Sequence, residues 1–278
     1  MRFGICNELF EGWDFERVCR TVKGIGYDGL EIAPFTLAPT ITDVPASRLA
    51  ELRSIVEDSG LEMIGLHWLL AKTEGFYLTS PDAETRRRTA DYLLALAQAT
   101  RSLGGSLMVF GSPKQRDLLP GVTSEQATDW AAETFASIMP AIAGFGVDLC
   151  LEPLAPSETN FLISIAEANT LIERVDHPNF KLHLDVKAQT SDPDGSVPQL
   201  FETFAPRAGH VHVQDPNLRG PGMGEVDFVP ILKALVAARY DRWVSVEVFD
   251  YSPGAEETAR QSLQCLRQAL ADATEPIG

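Results

Sequence analysis

The sequence predicts a single (β/α)₈ TIM barrel, and three observations support that fold class. Eight short apolar segments recur along the 278 residues, and segments with helix signals separate them. Most of the apolar segments lack polar alternation, which is typical of parallel strands covered on both faces. The turn after the first segment, CNELFEGWD, lacks the GxGxxG pattern that usually marks the rival fold, a doubly wound open sheet. Barrels of ~250 residues often form one domain, so we expect residues 1–278 to be a single TIM-barrel domain.

The strands and several helix starts follow from local patterns. Ser80 before Pro81 predicts one helix start, with proline at the first helical position. Thr123 and Ser164 each stand three residues before Gln or Glu, which is the spacing of a capping box. The eight strands are expected at Arg2–Cys6, Gly29–Ala33, Glu62–His67, Ser106–Phe110, Asp148–Glu152, Phe180–Asp185, Ala208–Val213 and Trp243–Val248.

The composition limits the partners of this chain. A net charge of −16 and a pI near 4.7 oppose a nucleic-acid surface, which is normally basic. The start, MRFGICNELF, has no apolar core behind a basic leader, and no later run reaches ~18 uninterrupted apolar residues. The four cysteines show no CxxC pairing. We therefore expect a cytoplasmic protein that acts on a small molecule, with no nucleic-acid or membrane partner. Homo-oligomer formation stays open.

Acidic and imidazole side chains end the last four expected strands, about one strand-plus-helix unit apart. Parallel barrel strands bring their carboxyl ends to one face, so these side chains should converge. Buried carboxylates are costly without a partner, and one divalent ion would serve all four residues. Hard oxygen ligands with one imidazole suit Mn²⁺, our expected ion, or Mg²⁺ or Co²⁺, better than a structural zinc. The predicted metal ligands are Glu152, Asp185, His212 and Glu247.

Two further histidines and one glutamate leave alternatives open. Strand alternation places His183 on the same face as Asp185, one layer deeper, where it would contact substrate or form hydrogen bonds within the core. His210 faces the same way as His212, and we choose His212 as the ligand because it lies nearer the carboxyl end of the strand. Glu31 ends the second strand, where it would orient substrate or pair with a cation at the rim.

The order Glu, Asp, His, Glu at the ends of strands 5 to 8 resembles the sugar phosphate isomerase/epimerase family of xylose isomerase-like TIM barrels. The segment EPLAPSETNF (152–161) resembles D-tagatose 3-epimerase-type enzymes, in which a metal-binding Glu is followed six residues later by a substrate-binding Glu, here Glu158. The segment HVQDPNLRGPGMGEVDF (212–228) resembles the family's strand-7 loop, which implies substrate binding by Arg219.

Two positions depart from the family pattern. The family's epimerases commonly have a substrate-contacting His three residues after the metal-binding Asp, where this chain has Ala188. Lys187, beside it, is our candidate for that contact. Arg219 lies one position further from His212 than the family pattern implies. Both departures concern the particular sugar and leave the expected metal site unchanged.

Residues after the third and fourth strands are further candidates for the substrate site. His67 and Trp68 follow the third strand, and an indole face can cover the apolar face of a sugar. The alternative for Trp68 is packing in the core or in a lid. Lys114, Gln115 and Arg116 follow the fourth strand, and we favour a solvated basic loop over a lid or an anion pocket.

The expected chemistry is the removal of a proton next to a sugar carbonyl, through a metal-stabilised enediolate. A divalent ion would act as a Lewis acid, and a positioned carboxylate would act as the base. The resemblance implies that Glu152 and Glu247 are the catalytic pair and work on opposite faces of one carbon. We therefore predict a divalent-metal-dependent sugar or keto-sugar isomerase/epimerase.

Three other functions remain as alternatives. A metal-dependent lyase on the same scaffold, dehydrating an inosose or a dehydroshikimate-like substrate, would begin with the same proton removal. An abasic-site endonuclease shares the architecture, but the acidic charge and the shortage of extra histidines oppose it. A catalytically silent binding protein is disfavoured because all four predicted ligands and the glutamate pair are present.

Overall fold

Eight parallel strands close into a barrel in chain order, so the predicted (β/α)₈ TIM barrel is confirmed. The structure is a computed structural model that describes residues 1–275. Three strands have the predicted bounds, and the other five are one or two residues shorter. Four of those five stop early at the carboxyl end, where the chain turns away to form the mouth of the barrel. The strands are β1 Arg2–Cys6, β2 Gly29–Ile32, β3 Glu62–Leu66, β4 Leu107–Phe110, β5 Asp148–Leu151, β6 Phe180–Asp185, β7 Ala208–Val213 and β8 Trp243–Val246.

Helices surround the barrel, most of them contact the next helix along the chain, and α9 closes the ring against α1. The main apolar core lies between this helical layer and the sheet. The helices are α1 Phe15–Ile25, α2 Ala46–Asp58, α3 Ala83–Leu103, α4 Ser124–Gly144, α5 Ile165–Val175, α6 Val186–Gln189, α7 Val197–Phe204, α8 Phe228–Ala237 and α9 Ala255–Thr274.

One of the three predicted helix starts is wrong. Helix α3 begins at Ala83, and its N-cap is Asp82 rather than Ser80. The two carboxylate oxygens of Asp82 accept hydrogen bonds from the backbone N–H groups of Glu84 and Thr85, at 3.2 and 3.1 Å. The Ser80 hydroxyl instead accepts from the N–H of Asp82. A carboxylate two residues further along satisfies the open N–H groups of the helix, which leaves the serine outside it.

The other two helix starts are confirmed. Thr123 forms the full capping box of α4 with Gln126. Ser164 caps α5 by accepting a hydrogen bond from the N–H of Glu167. The Glu167 carboxylate reaches the N–H of Ile163, one residue before the cap, at 2.9 Å. The spacing therefore predicts the cap correctly, although the return hydrogen bond goes to the neighbouring residue.

A small apolar cluster fills the interior of the barrel below the mouth. It includes Ile64 and Trp243, which are buried. Glycines make room for them: a Cβ on Gly4 would lie 2.3 Å from Ile64 Cδ1, and one on Gly29 would lie 2.7 Å from Trp243 Cη2. Larger side chains at these two positions of β1 and β2 would therefore clash with this cluster.

Within residues 1–275, no helix combines the length and the apolar character needed to cross a membrane. The assignment of residues 1–278 to one domain stays a prediction, and residues 276–278 lie outside the described part of the chain.

Candidate active site

The carboxyl ends of four neighbouring strands bring the predicted metal ligands to one buried site. Glu152 directly follows β5, and Asp185 ends β6. His212 lies near the end of β7, and Glu247 directly follows β8. None of the four residues is more than 7% exposed. All four side chains are thus buried at the mouth of the barrel.

The three carboxylates lie close to the His212 ring. Candidate ligand atoms of Glu152, Asp185 and His212 lie within 4.8 Å of one another, together with one from His183. Oε2 of Glu247 lies 3.3 Å from Nδ1 of His212. Nε2 of His183 lies 3.9 Å from Oε1 of Glu152. We refer to these five residues as the carboxylate–histidine cluster.

Several buried atoms of the cluster lack partners, which fits an ion site. Both ring nitrogens of His183 and Nδ1 of His212 form no hydrogen bond with any described residue. Buried polar atoms without partners are costly, and a cation would satisfy the lone pairs of imidazole and carboxylate together. Carboxylate oxygens with imidazole nitrogen are a donor set suited to Mn²⁺ or a similar divalent ion.

Burial and mutual repulsion shift the pKa values of the three carboxyls. Burial raises the pKa of Glu152 well above its usual range, and the charges of Asp185 and Glu247 raise it further. Burial, followed by the charge of Glu247, raises the pKa of Asp185 to about 6. Burial opposes ionisation of Glu247 as well, but His212 lowers the pKa of this residue below its usual value. The cluster therefore retains protons that an incoming cation would have to displace.

Two hydrogen bonds orient Asp185. Its Oδ1 accepts from the backbone N–H of Ala188 at 2.6 Å, which makes Asp185 the N-cap of α6. Its Oδ2 accepts from the side-chain amide of Gln214, also at 2.6 Å. Ala188, which stands where the family pattern has a histidine, thus contributes its backbone N–H to this site.

A glycine and a buried arginine support Glu152. A Cβ on Gly111 would lie 2.2 Å from Oε2 of Glu152, so this side chain occupies space that only glycine leaves free. Arg116 is fully buried and donates to the backbone carbonyls of Glu152 at 2.7 Å and Leu162 at 3.3 Å. Burial lowers the pKa of Arg116 to about 10. The interpretation as a solvated loop is therefore wrong for Arg116, because carbonyls distant in sequence accept its hydrogen bonds.

Trp68 contacts both Glu247 and a neighbouring aromatic ring. The indole Nε1–H donates to Oε1 of Glu247 at 2.6 Å. The indole also stacks on Phe249, with ring centroids 5.6 Å apart and planes inclined at 25°. The backbone of Trp68 has φ of 52°, a conformation that a bulky residue rarely adopts. Trp68 is therefore part of the wall of the site and a hydrogen-bond donor to a predicted ligand.

Glu8 is a buried residue of the site that sequence reasoning missed. Its Oε2 lies 2.7 Å from Nε2 of His67, and the residue is 1% exposed. Burial lowers the pKa of His67, but the charge and hydrogen bond of Glu8, together with the charges of Glu247 and Glu31, raise this pKa overall. The available signal was its position just after β1, at the same end of the barrel as the predicted ligands.

Glu31 lies beside the cluster and pairs with two imidazoles. It is fully buried in β2, with Oε1 2.6 Å from Nε2 of His210 and Oε2 3.1 Å from Nε2 of His212. Burial alone would raise the pKa of Glu31, but the two histidines lower it well below its usual range. Glu31 thus pairs with histidines inside the barrel rather than with a cation at its rim.

A cavity of about 430 Å³ opens onto the cluster. Glu152, Asp185 and Glu247 line it, and its volume falls within the range of small-molecule sites. Lys187 Nζ donates to Oε1 of Glu158 at 2.7 Å, so these two predicted substrate contacts form an ion pair. The other lining residues that the sequence singled out are His67, Trp68, Lys114 and Gln115.

Two predicted substrate contacts lie outside the cavity lining within residues 1–275. His183 is buried in the cluster. Arg219 is 43% exposed, and its Nε donates to Oδ2 of Asp250 at 2.9 Å. A role for either residue in substrate binding stays a prediction.

Comparisons with known proteins identify a family and several relatives of this chain. Residues 19–269 match the family described as xylose isomerase-like TIM barrel. D-psicose 3-epimerase from Ruminiclostridium cellulolyticum is 28% identical over 260 residues, which cover 90% of this chain and 84% of that protein. Fructoselysine 3-epimerase from Escherichia coli O157:H7 is 23% identical over 269 residues, which cover 92% of this chain and 93% of that protein.

Solved structures agree closely with the backbone. D-psicose 3-epimerase from Clostridium cellulolyticum H10, solved with D-tagatose, has a TM-score of 0.85 at 22% identity, covering 97% of this chain and 99% of that chain. An AP endonuclease of family 2 from Brucella melitensis has a TM-score of 0.73 at 20% identity, covering 93% of this chain and 96% of that chain. The fold is therefore shared by proteins with different chemistry.

Proposed function

Because this chain belongs to the xylose isomerase-like TIM-barrel family, we propose that it is a divalent-metal-dependent sugar epimerase. The observation that supports the proposal is the carboxylate–histidine cluster, which faces a cavity large enough for a monosaccharide. D-psicose 3-epimerase and fructoselysine 3-epimerase are sugar epimerases, and we extend that reaction class to this chain. A net charge of −16 opposes the nucleic-acid substrate that an abasic-site endonuclease would need.

The side chains of the cluster divide into ligands and neighbours. Glu152, Asp185, His212 and Glu247 would hold one divalent ion, with Mn²⁺ expected and Mg²⁺ or Co²⁺ as alternatives. His183 contacts Glu152 from within the barrel and is not in our ligand set. When bound, such an ion would supply Lewis-acid stabilisation of the negative charge that develops on oxygen beside the reacting carbon.

Proton transfer and substrate orientation are the tasks of the chain itself. Glu152 and Glu247 would take and return the proton at one carbon, because both carboxylates line the cavity. Oε2 of Glu158 is buried and has no hydrogen-bond partner within the described residues, so it would accept from a substrate hydroxyl. Lys187 fixes the other oxygen of Glu158, and Trp68 forms the wall beside Glu247.

A substrate screen in D₂O tests the proposed reaction. The Mn²⁺-loaded enzyme is incubated with free ketoses, and ¹H and ¹³C NMR follow deuterium incorporation and the appearance of epimers. We expect deuterium at one carbon next to the carbonyl, together with the epimer at that carbon, because the abstracted proton exchanges with solvent. A dehydrated product would instead indicate the lyase, and a protein that exchanges no proton in any ketose would contradict the proposal.

Ion affinity should depend on pH in a defined direction. The raised pKa values of Asp185, about 6, and of Glu152 mean that protons compete with the ion in the metal-free protein. We therefore expect the affinity for Mn²⁺ to fall as pH drops below about 6, by up to ~10-fold per pH unit for each proton displaced. Isothermal titration calorimetry between pH 5 and 8 measures this dependence, and an affinity independent of pH would contradict it.

A further inference from the structure

One buried carboxylate, that of Glu31, contacts two histidines beside the proposed ion site. Glu31 is fully buried, and each of its oxygens faces the Nε2 atom of a different imidazole, His210 at 2.6 Å and His212 at 3.1 Å. The Sγ atom of Cys6 also lies 3.8 Å from Nε2 of His212. Nε2 of His212 thus faces Glu31 and Cys6, whereas Nδ1 of the same ring lies 3.3 Å from Oε2 of Glu247.

A carboxylate at this position determines which ring nitrogen can bind an ion. An ionised carboxylate only accepts hydrogen bonds, so each Nε2 that faces Glu31 must carry its hydrogen. An ion binds only the neutral imidazole, which has one N–H and one lone pair, so with the hydrogen on Nε2 the lone pair that His212 offers to an ion is on Nδ1. Nδ1 of His212 has no hydrogen-bond partner among residues 1–275. This is expected for a nitrogen whose lone pair binds an ion.

We propose that Glu31 is a positioning residue that selects the ion-binding form of His212. It holds His212 in the tautomer whose Nδ1 lone pair faces the cluster, and it fixes the orientation of the ring. The inference rests on the proposed ion site and deepens it. Glu31 also holds Nε2 of His210, the deeper of the two strand-7 histidines, away from the cluster. One glutamate therefore accounts for the choice between two histidines that strand alternation alone leaves equivalent.

Replacing Glu31 with glutamine removes one of the two acceptors. An amide offers one oxygen and one NH₂ group, so it cannot accept hydrogen bonds from two Nε2–H groups in the arrangement that Glu31 holds. We expect E31Q to bind Mn²⁺ ~10–100-fold more weakly than the native protein, as loss of an outer partner of a ligating histidine typically does. Glu62→Gln is the matched control, because Glu62 is an exposed strand residue paired with Arg2. H210Q should retain native affinity, since the bond from His212 to Glu31 remains.

Two measurements test the role of Glu31 without an assay of turnover. Calorimetry gives the Mn²⁺ affinities of the native protein and the three variants, with circular dichroism to verify folding. Long-range ¹H–¹⁵N NMR of the native protein loaded with diamagnetic Mg²⁺ reports the histidine tautomers, and we expect the Nε2–H form for His212. This second measurement stands even if E31Q does not fold.

The outcomes separate the inference from the proposed function. Native Mn²⁺ affinity in a folded E31Q, or an Nδ1–H tautomer for His212 in the loaded native protein, would overturn the role of Glu31 and leave the ion site in place. Failure of the native protein to bind Mn²⁺ or Mg²⁺ would overturn the ion site itself, and the role of Glu31 with it.

Discussion

Removal of divalent ions is expected to abolish turnover, and Mn²⁺, Co²⁺ or Mg²⁺ is expected to restore it. Three buried carboxyls lie close enough to repel one another, and the pKa values of two of them, Glu152 and Asp185, are raised by burial and by that repulsion. Without an ion the site loses the Lewis acid that would stabilise the transition state beside the substrate carbonyl. The measurement is the rate of epimer formation after chelation and dialysis, with metal content determined by mass spectrometry before and after each ion is added.

Metal removal should also lower thermal stability without unfolding the barrel. The main core and the small apolar cluster inside the barrel contain none of the proposed ion ligands, so we expect both to persist without the ion. A ligand that binds only the native state contributes ~2.7 kcal/mol when its concentration is 100 times its Kd, so the melting temperature should rise when Mn²⁺ is added. A circular dichroism spectrum that is unchanged by chelation would show that activity was lost through the site alone.

The substitution Asp185→Asn tests the ion site without a chelator, by weakening one proposed ligand. It removes a charged oxygen ligand while keeping the shape, so we expect weaker Mn²⁺ binding and activity that requires a higher Mn²⁺ concentration. Asp91→Asn, on an exposed position of α3, removes the same charge away from the site and should behave like the native protein. Full activity after verified removal of all metal would rule out the proposed mechanism.

The fold was largely predictable because strand and helix signals are local. Each buried strand is a short apolar run, and the parallel arrangement follows from the helical segment between consecutive strands. The resemblance to xylose isomerase-like barrels is confirmed by the family match across residues 19–269. The error at Ser80 arose because two capping residues compete within three positions, and the pattern does not reveal which one accepts the helix N–H groups.

The site was predictable only in part, because its contacts cross the barrel. Residues at strand ends could be identified from the pattern, which is why Glu152 and Asp185 were found. The residues that form hydrogen bonds with the site residues could not be identified in this way. Glu31 contacts His210 although 179 residues separate them in sequence, and Trp68 contacts Glu247 across the same separation. Arg116 looked like a solvated residue because the carbonyls that accept its hydrogen bonds, those of Glu152 and Leu162, belong to the segment after β5, far from it in sequence. Pairings of this kind depend on barrel closure and register, which no local pattern encodes.

Replacing either proposed base is expected to suppress epimerisation in both directions by at least ~10², because each removes a proton acceptor. Glu152 follows β5 and Glu247 follows β8, three strands apart in a closed ring of eight, so the two carboxylates approach the cavity from different walls. Glutamine retains most of the shape. In E247Q the amide oxygen can still accept the hydrogen bond from Trp68, and in E152Q the backbone carbonyl still accepts from Arg116. Glu202→Gln, on an exposed position of α7, is the control.

Solvent exchange separates a two-base enzyme from a one-base enzyme. If the two glutamates act on opposite faces of one carbon, each variant retains one base and should still exchange the proton on its remaining face. Deuterium would then enter one epimer of the substrate pair without conversion to the other, and the two variants would label different epimers. Because both glutamates are also proposed ligands, the metal content of each variant must first match that of the native enzyme. Variants that keep their metal and epimerise at the native rate would show that neither glutamate is the base, and Lys187, which lines the same cavity, would be the next residue to replace.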